Sequence, residues 1–145
     1  MTKNIYFHFG VYGACFDESG THVLAIVKRR GAYAGRYDLP GGTVDVPETL
    51  EDTLRREIKE ETGCVVESAM QRETLATLFE YADENGRRAT LYHVWLLYDA
   101  TVTGVPSDAG DGLDSDGALW LSLAKINESN VSPALLHVAR RFPST

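Results

Sequence analysis

The alternation of apolar and polar positions predicts several strands along this chain. Residues 5–17 and 22–30 are rich in aromatic and β-branched side chains, and the turn sequence ESG between them predicts two strands joined by a tight connection. Residues 64–81 and 88–102 flank the polar tip ADENGR, which predicts a hairpin of two long strands. The short apolar run ALWL at 118–121 predicts a further strand.

Two segments have the composition of helices. Residues 48–62 contain good helix formers without Gly or Pro, and Gly63 follows where a helix commonly ends. Residues 132–142 begin with Ser132 as a cap, followed by a proline in the first turn. Strands outnumber helices, so we expect an α/β fold with a mixed sheet.

Length and charge narrow the class of protein. The chain has 145 residues, of which 43% are apolar, and we expect one domain over residues 1–145. Its 21 acidic and 14 basic residues give a formal net charge of −7, which argues against binding to nucleic-acid backbone or anionic membranes. No stretch resembles a signal peptide or a membrane span, so we expect a cytoplasmic protein. Cys15 and Cys64 have no metal-binding spacing, and we interpret both as buried thiols.

The end of the first helix carries an unusual concentration of negative charge. Glu57, Glu60 and Glu61 crowd the last turn, where the partial charge of the helix carbonyls disfavours carboxylates. The apolar stripe expected to pack on the sheet consists of Leu50, Leu54 and Ile58. Glu57 and Glu61 lie beside that stripe, so their carboxylates should project near the protein. Two interpretations follow from the helix alone: a site for a divalent cation such as Mg²⁺ or Mn²⁺, or a solvated acidic face.

The segment around this helix matches a longer pattern. After a Gly-rich loop at 31–42, the sequence GTVDVPETLEDTLRREIKEETGC fits G-x5-E-x7-R-E-U-x-E-E-x-G-U, where U is a bulky apolar residue. The matched positions are Gly42, Glu48, Arg56, Glu57, Ile58, Glu60, Glu61, Gly63 and Cys64. The approach GRYDLPG also fits, with Tyr37 where tryptophan is frequent. This pattern resembles the Nudix box.

The resemblance implies a fold and a reaction. Nudix proteins are α/β/α sandwiches around a mixed sheet, with a loop-helix-loop catalytic motif. They use divalent metal ions, here expected to be Mg²⁺ with Mn²⁺ as a substitute, and water to hydrolyse a nucleoside diphosphate linked to a group X. The small chain favours a nucleoside triphosphate or a related nucleotide. Dinucleoside polyphosphates, ADP-ribose and nucleotide sugars also stay open, because X is selected by loops outside the box.

The resemblance also implies roles for the residues of the box. Glu57 and Glu61 correspond to the principal metal ligands, and Glu60 to a further ligand or to the base that activates water. A carbonyl of Gly41 or Gly42 corresponds to another ligand.

The remaining box residues have supporting roles in the family pattern. Arg56 orients the glutamates, and Glu48 holds the loop and helix together by bonding to Arg56. Gly63 ends the helix.

Outside the box, the candidates are fewer. By resemblance, a carboxylate before a Trp-containing strand can serve as base or ligand, and Asp114 has a more familiar spacing than Asp116. The same residues are also typical of a solvated acidic turn, and Glu80 is the second candidate. In the basic run 28–30, the alternation of side chains along a strand prevents all three from facing the substrate, and we select Arg29 as the phosphate contact.

Aromatic residues and histidines complete the candidates. Residues 6–9 (Tyr6, Phe7, His8 and Phe9) can either stack on a nucleobase or belong to the core. The four histidines, His8, His22, His93 and His137, have no ligand-like spacing, and we assign none of them to a metal.

Two alternatives to the hydrolase hypothesis are open. A Nudix-fold sensor would bind a nucleotide without hydrolysing it, although such modules usually have degraded boxes and every acidic box position is intact here. An isopentenyl-diphosphate isomerase would share the fold, but it would use an active-site cysteine, and Cys15 and Cys64 lack an evident partner. The expected partner is a small-molecule nucleotide rather than nucleic acid, and a homodimer is compatible with the fold.

Overall fold

The architecture closely follows the predicted elements. A computed structural model of the chain describes residues 4–141. The strands and helices in chain order are β1 (Asn4–Ala14), β2 (His22–Lys28), β3 (Tyr37–Asp38), β4 (Gly41–Gly42), α1 (Leu50–Thr62), β5 (Val65–Ala82), β6 (Arg88–Thr103), β7 (Ser115–Ser122) and α2 (Pro133–Ala139). The strands β3 and β4 lie within the segment predicted to be a loop. The last helix ends at Ala139, before its predicted end at Phe142, which itself lies outside the described residues.

The strands form two sheets. The first has the order β4-β1-β6-β5, and the second has the order β3-β2-β7. Strands β1 and β6 run parallel, whereas β1/β4 and β5/β6 are antiparallel, so the predicted mixed sheet is confirmed. Although β1 and β2 are consecutive, they belong to different sheets. Beyond the end of β1, an isolated antiparallel bridge joins Phe16 to Val23.

Alternate side chains of the central strands pack on opposite sides, which produces three layers. One core cluster includes Val11, Leu24, Leu54, Ile58 and Leu96, and therefore contains the buried face of α1. The other cluster includes Tyr12, Val23, Trp95, Leu97, Leu135 and Val138, and therefore contains α2. The period-2 alternation of strand side chains explains why neighbouring residues join different clusters. The predicted α/β/α sandwich is confirmed.

Both ends of α1 are capped. Thr49 is the N-cap, and its side chain accepts a hydrogen bond from the Asp52 N–H at 3.1 Å while the Asp52 carboxylate accepts one from the Thr49 N–H. This reciprocal capping box satisfies two backbone donors that the helix leaves free. At the other end, Gly63 has a φ of 78°, a left-handed conformation that glycine adopts without steric cost.

The apolar stripe of α1 is shorter than predicted. Leu54 and Ile58 are fully buried, but Leu50 is 36% exposed. Leu50 is the first residue of the helix, and the core cluster on this side begins one turn later. The part of α1 from Thr53 to Thr62 is therefore the part that is fixed against the sheets.

Both cysteines are buried in the cluster beneath α1, as predicted. Burial raises the pKa of the Cys15 thiol to about 12. No helix within residues 4–141 is long and apolar enough to cross a bilayer.

Candidate active site

A cavity of about 490 Å³ opens where the end of α1, the glycine strand β4 and one face of β1 and β6 meet. Its walls combine acidic, basic and aromatic side chains from distant parts of the sequence. The residues that carry the chemistry discussed below are Lys28, Arg30, Glu57, Glu61, His93 and Asp114. The cavity therefore places the predicted metal-binding carboxylates opposite basic groups.

Glu61 lies deep in this cavity, with only 4% of its surface exposed. Its Oε1 accepts a hydrogen bond from the Gly41 N–H at 2.8 Å. Burial raises the pKa of Glu61 well above its usual value, and the charge of Glu57 raises it further. A side chain on Gly41 is excluded, because its Cβ would lie 2.1 Å from the Val11 carbonyl oxygen. Glycine at this position thus allows β4 to lie close against Val11 and Tyr12 of β1.

Glu57 occupies the space that Gly42 leaves free. A Cβ on Gly42 would lie 2.8 Å from the carboxyl carbon of Glu57. Burial raises the pKa of Glu57, whereas Arg56 opposes this shift. Burial raises the pKa of both carboxylates, and the charge of Glu57 raises that of Glu61 further, so the pair forms a site short of positive charge. This donor set fits a hard divalent cation.

The site is open rather than a closed metal cage. Within residues 4–141, no three His, Cys, Asp or Glu side chains are arranged to hold a metal by themselves. An open site with few carboxylates is typical of Mg²⁺, which usually keeps several waters and binds substrate phosphates as well.

Arg56 connects the loop before α1 with the glutamates of the helix. Its Nε and Nη2 donate to the two carboxylate oxygens of Glu48 at 2.6 and 3.0 Å, so the predicted ion pair is present. Its Nη1 donates to Glu57 at 3.0 Å and to Glu60 at 3.3 Å, and its Nη2 also reaches the Thr43 carbonyl at 3.1 Å. These contacts lower the pKa of Glu48 to about 2 and raise the pKa of Arg56. A single planar guanidinium therefore fixes both the loop and the Glu57 side chain.

The candidate bases lie in different environments. Glu60 has a side chain that is 54% exposed, and it is absent from the residues lining the cavity. Asp114 lines the cavity, and its Oδ1 accepts a hydrogen bond from Arg30 Nε at 2.8 Å. Glu80 also lies outside the lining and pairs with Arg88 at 3.3 Å.

The basic residues 28–30 at the end of β2 do not all face the cavity, as the alternation of side chains along a strand predicts. Lys28 and Arg30 line the cavity, whereas the Arg29 side chain lies outside it, 3.9 Å from Asp116. The sequence predicted that the three residues could not share a face, but the face that meets the cavity depends on how β2 packs in the second sheet.

The aromatic residues of β1 are not part of the core. Tyr6, Phe7 and His8 line the cavity, and Phe7 is 78% exposed, so the core interpretation of these residues is wrong. Phe9 is also exposed but does not line the cavity. This end of the strands is uncovered, because α1 and α2 pack against the other end of the sheet.

A buried hydrogen-bonded group on the cavity floor is not evident from the sequence. His93 Nε2 bonds to the Tyr12 hydroxyl at 2.8 Å, and His93 Nδ1 bonds to the Tyr33 hydroxyl at 2.9 Å. The imidazole also stacks on Trp95 with 3.6 Å between ring centroids. Burial lowers the pKa of His93 to about 3. Both ring nitrogens are therefore occupied, and Tyr33 attaches the Gly-rich loop after β2 to the sheet.

Asp38 is a second residue that the sequence did not single out. It lines the cavity, yet only 3% of its surface is exposed. Its Oδ1 accepts hydrogen bonds from Ser132 Oγ at 2.6 Å and from the Leu39 N–H at 2.8 Å. Burial raises the pKa of Asp38 to about 6. This carboxylate connects the strand before the glycines with the cap of α2.

Comparison with known proteins identifies relatives with the same kind of domain. The model of the NUDIX domain matches residues 7–142. An "ADP-ribose pyrophosphatase" of Methanocaldococcus jannaschii is 31% identical over 107 residues, which are 74% of this chain and 59% of that protein. A "Nucleoside triphosphatase NudI" of Escherichia coli O1:K1 / APEC is 36% identical over 91 residues, which are 57% of this chain and 61% of that protein. The matches thus span about three fifths of the length of these relatives.

Solved structures share the fold. The MutT NUDIX hydrolase from Burkholderia pseudomallei has a TM-score of 0.68 at 24% identity, with 95% of this chain and 99% of that chain covered. The NUDIX domain of Shewanella oneidensis NrtR, solved with ADP ribose, has a TM-score of 0.62 at 20% identity, with 97% and 88% covered. NrtR of the same organism, solved with a 27mer DNA, has a TM-score of 0.60 at 23% identity, with 92% and 60% covered. The family model covers nearly the whole chain, and the chain therefore belongs to the NUDIX domain family.

Proposed function

We propose that this protein is a metal-dependent hydrolase of a nucleoside diphosphate linked to a group X. The observation that carries the proposal is the pair Glu57 and Glu61, whose carboxylates lie partly or fully buried beside a glycine turn in a cavity that also contains Lys28 and Arg30. Divalent metal is general to this family, and we propose Mg²⁺, with Mn²⁺ as a substitute. A homodimer, which is compatible with the fold, stays a prediction.

The proposed mechanism divides the work between a bound ion and the protein. When bound, the ion neutralises the diphosphate, lowers the pKa of a water and stabilises the leaving oxygen. Glu57 and Glu61 would hold it, together with a carbonyl of Gly41 or Gly42. Arg56 keeps the Glu57 carboxylate oriented, because its Nη1 bonds to that carboxylate while its Nε is fixed by Glu48.

Lys28 and Arg30 are the proposed contacts for the substrate phosphates. Both line the cavity, whereas Arg29 lies outside it, so we assign phosphate binding to this pair rather than to Arg29. Their charges oppose the repulsion between a diphosphate and the carboxylates of the site.

Two carboxylates are candidates to accept the proton of the attacking water. Asp114 faces the cavity, and Glu60 belongs to the box but lies on the exposed side of α1. Asp114→Asn and Glu60→Gln separate them, because loss of the base removes the acid limb of the kcat profile against pH, whereas loss of a charge alone rescales the profile.

The relatives support the reaction and leave X open. One curated relative is named for ADP-ribose and another for nucleoside triphosphates, and both compounds contain a nucleoside diphosphate. On the sequence alone, the small chain favours a nucleoside triphosphate.

The proposal is tested by nucleotide hydrolysis. Purified protein is incubated with a nucleotide panel and Mg²⁺ or Mn²⁺, and phosphate release is measured with and without added pyrophosphatase or phosphatase. Glu57→Gln and Glu61→Gln should lose the activity, while Glu51→Gln, which removes a charge from the exposed first turn of the same helix, should keep it. Tight binding of a nucleotide without hydrolysis under any of these conditions would favour the sensor alternative.

A further inference from the structure

The cavity of the candidate site continues into a second one. A neighbouring cavity of about 650 Å³ shares four lining residues with it, namely Tyr6, Arg30, Gly31 and Tyr81. We call the first cavity, with Glu57 and Glu61, the inner chamber and the second the outer chamber. The outer chamber ends at the tip of the β5–β6 hairpin, at residues 82–85. The site is thus an elongated groove with two compartments.

The junction between the chambers has aromatic walls. Tyr6 belongs to β1 and Tyr81 to β5, and both strands pair with β6, which lies between them. In this register Tyr6 is opposite Leu91 and Tyr81 is opposite Ala89. Two strand spacings and an offset of two residues along the strands separate the tyrosines by roughly 12 Å at the backbone. Flat rings with phenol hydroxyls on either side of a narrow floor suit a ring-shaped group that carries polar substituents.

The two chambers differ in charge. Lys28 and Arg30 line the inner chamber, where the phosphates are proposed to bind. The far end of the outer chamber carries Asp83, Glu84 and Asn85. Ionised carboxylates only accept hydrogen bonds, so they suit hydroxyl donors and repel phosphate.

The positive charge available to the outer chamber is limited. Among its described lining residues the one cation is Arg30, which stands at the junction and is paired with Asp114 at 2.8 Å. Asp83 is occupied in holding the hairpin turn, since its Oδ1 accepts from the Asn85 and Arg87 N–H groups at 2.9 and 2.8 Å. Glu84 is therefore presented on an ordered turn.

Given the hydrolase function proposed above, we propose that X is an uncharged, hydroxyl-rich group and that the preferred substrates are nucleoside diphosphate sugars. The nucleoside diphosphate lies in the inner chamber, and the sugar passes between Tyr6 and Tyr81 so that its hydroxyls meet Glu84 and Asn85. Water attacks one phosphorus of the diphosphate, the bridging P–O bond breaks, and the proton of the water passes to a carboxylate of the site. The products are a nucleoside monophosphate and a sugar phosphate. The third phosphate of a nucleoside triphosphate would end near the junction and leave Glu84 and Asn85 without a hydroxyl partner.

The test compares ADP-ribose with ATP at the same Mg²⁺ concentration. The wild type should hydrolyse ADP-ribose with a kcat/KM at least about tenfold higher than for ATP, a difference that a few matched hydrogen bonds supply. Glu84→Lys should reduce this ratio at least about tenfold, mainly by raising the KM for ADP-ribose. Glu84→Gln, which keeps the size and removes the charge, should shift the ratio in the same direction by less. The matched control is Glu67→Lys, the same charge reversal at an exposed position outside both chambers.

The outcomes separate this inference from the function on which it depends. A wild type that prefers ATP, or a Glu84→Lys variant that changes both substrates equally, would overturn the assignment of X while leaving the hydrolase intact. Hydrolysis of neither compound, nor of any other nucleotide in the panel, would overturn the proposed function itself. Thermal unfolding of each variant shows that the exposed turn tolerates the change.

Discussion

The side chains at the two ends of the groove are held by different kinds of structure. At the acidic end, Glu57 and Glu61 project from the best-anchored part of α1, and backbone and guanidinium hydrogen bonds hold their carboxylates. At the other end, the walls come from Tyr6 of β1, from Arg30, Gly31 and Ala34 in the loop after β2, and from residues 81–85 at the end of β5 and the hairpin tip. The comparison indicates that the carboxylates proposed to hold the metal lie on a packed helix, whereas the polar side chains proposed to select X lie on a hairpin turn.

The two ends of the groove also differ in the burial of their charged groups. Burial raises the pKa of Glu61 and of Glu57, so the acidic end carries a cost that a cation would offset. The hairpin tip bears exposed charges that water already stabilises. Substitutions at the acidic end should therefore alter catalysis and metal binding, and those at the hairpin should alter selectivity.

The largest expected effect is the loss of turnover at the acidic end. Glu57→Gln and Glu61→Gln should each lower kcat by about 10³-fold, which corresponds to about 4 kcal/mol of transition-state stabilisation. Steady-state kinetics measure this, with Glu51→Gln as the control. In chelator, Glu61→Gln should remain folded, because the substitution removes a buried charge and keeps an acceptor for the Gly41 N–H. Unfolding of this variant without metal would assign Glu61 a structural role.

Metal binding should stabilise the wild type through the same end of the groove. An ion that binds only the folded state at 100 times its Kd raises the free energy of unfolding by about 2.7 kcal/mol. Urea unfolding with and without Mg²⁺ measures the increment. It should disappear in the Glu57→Gln, Glu61→Gln double variant and persist in Glu84→Gln. An equal loss in both variants would remove the contrast between the two ends.

Substitution of Arg56 should lower kcat more than the same substitution of its neighbour Arg55. Arg56→Lys keeps the charge but cannot reach Glu48 and Glu57 with the same fork, so kcat should fall about 10- to 100-fold. The control is Arg55→Lys, which changes a residue paired with Glu51 away from the cavity.

The low pKa of Glu48 adds a second measurement. Its contribution to stability is present above pH about 4.5 and is lost as the pH falls toward 2, so Arg56→Met should flatten that part of the urea midpoint profile.

The smallest expected effect concerns the floor of the cavity. His93→Gln should lower the free energy of unfolding by about 1 kcal/mol, because one buried tyrosine hydroxyl loses a well-placed partner. Burial lowers the pKa of His93 from 6.5 to about 3, so between these values the unfolded chain binds a proton that the folded protein does not. Stability therefore falls as the pH falls through this window, and the variant should show a shallower slope. An unchanged slope in His93→Gln would contradict the assignment.

Several features could be predicted because they depend on neighbours along the chain. The end of α1 follows from helix formers that stop at Gly63, whereas its start is set by the Thr49 cap, two residues later than predicted. The strands of the β5–β6 hairpin follow from period-2 patterns around a polar tip. The proximity of Glu57 to Glu61 follows from the helical repeat. The exposure of Leu50 was not predictable, because the pattern of a helix does not show where the sheet beneath it ends.

Other features depend on contacts between distant segments. His93 lies 81 residues from Tyr12 and 60 from Tyr33, so no local pattern relates them. The choice of Lys28 and Arg30 over Arg29 required the packing of β2 in a sheet separate from β1.

The sequence by itself determined the elements, the spacing of the box and the acidic chemistry of the helix, since these depend on interactions within a few residues. The tertiary structure decided which strands share a sheet, which basic side chains face the carboxylates, and that the groove extends to the hairpin tip. These depend on the pairing of segments far apart in the chain, and that pairing is selected by the packing of the whole core rather than by any local pattern.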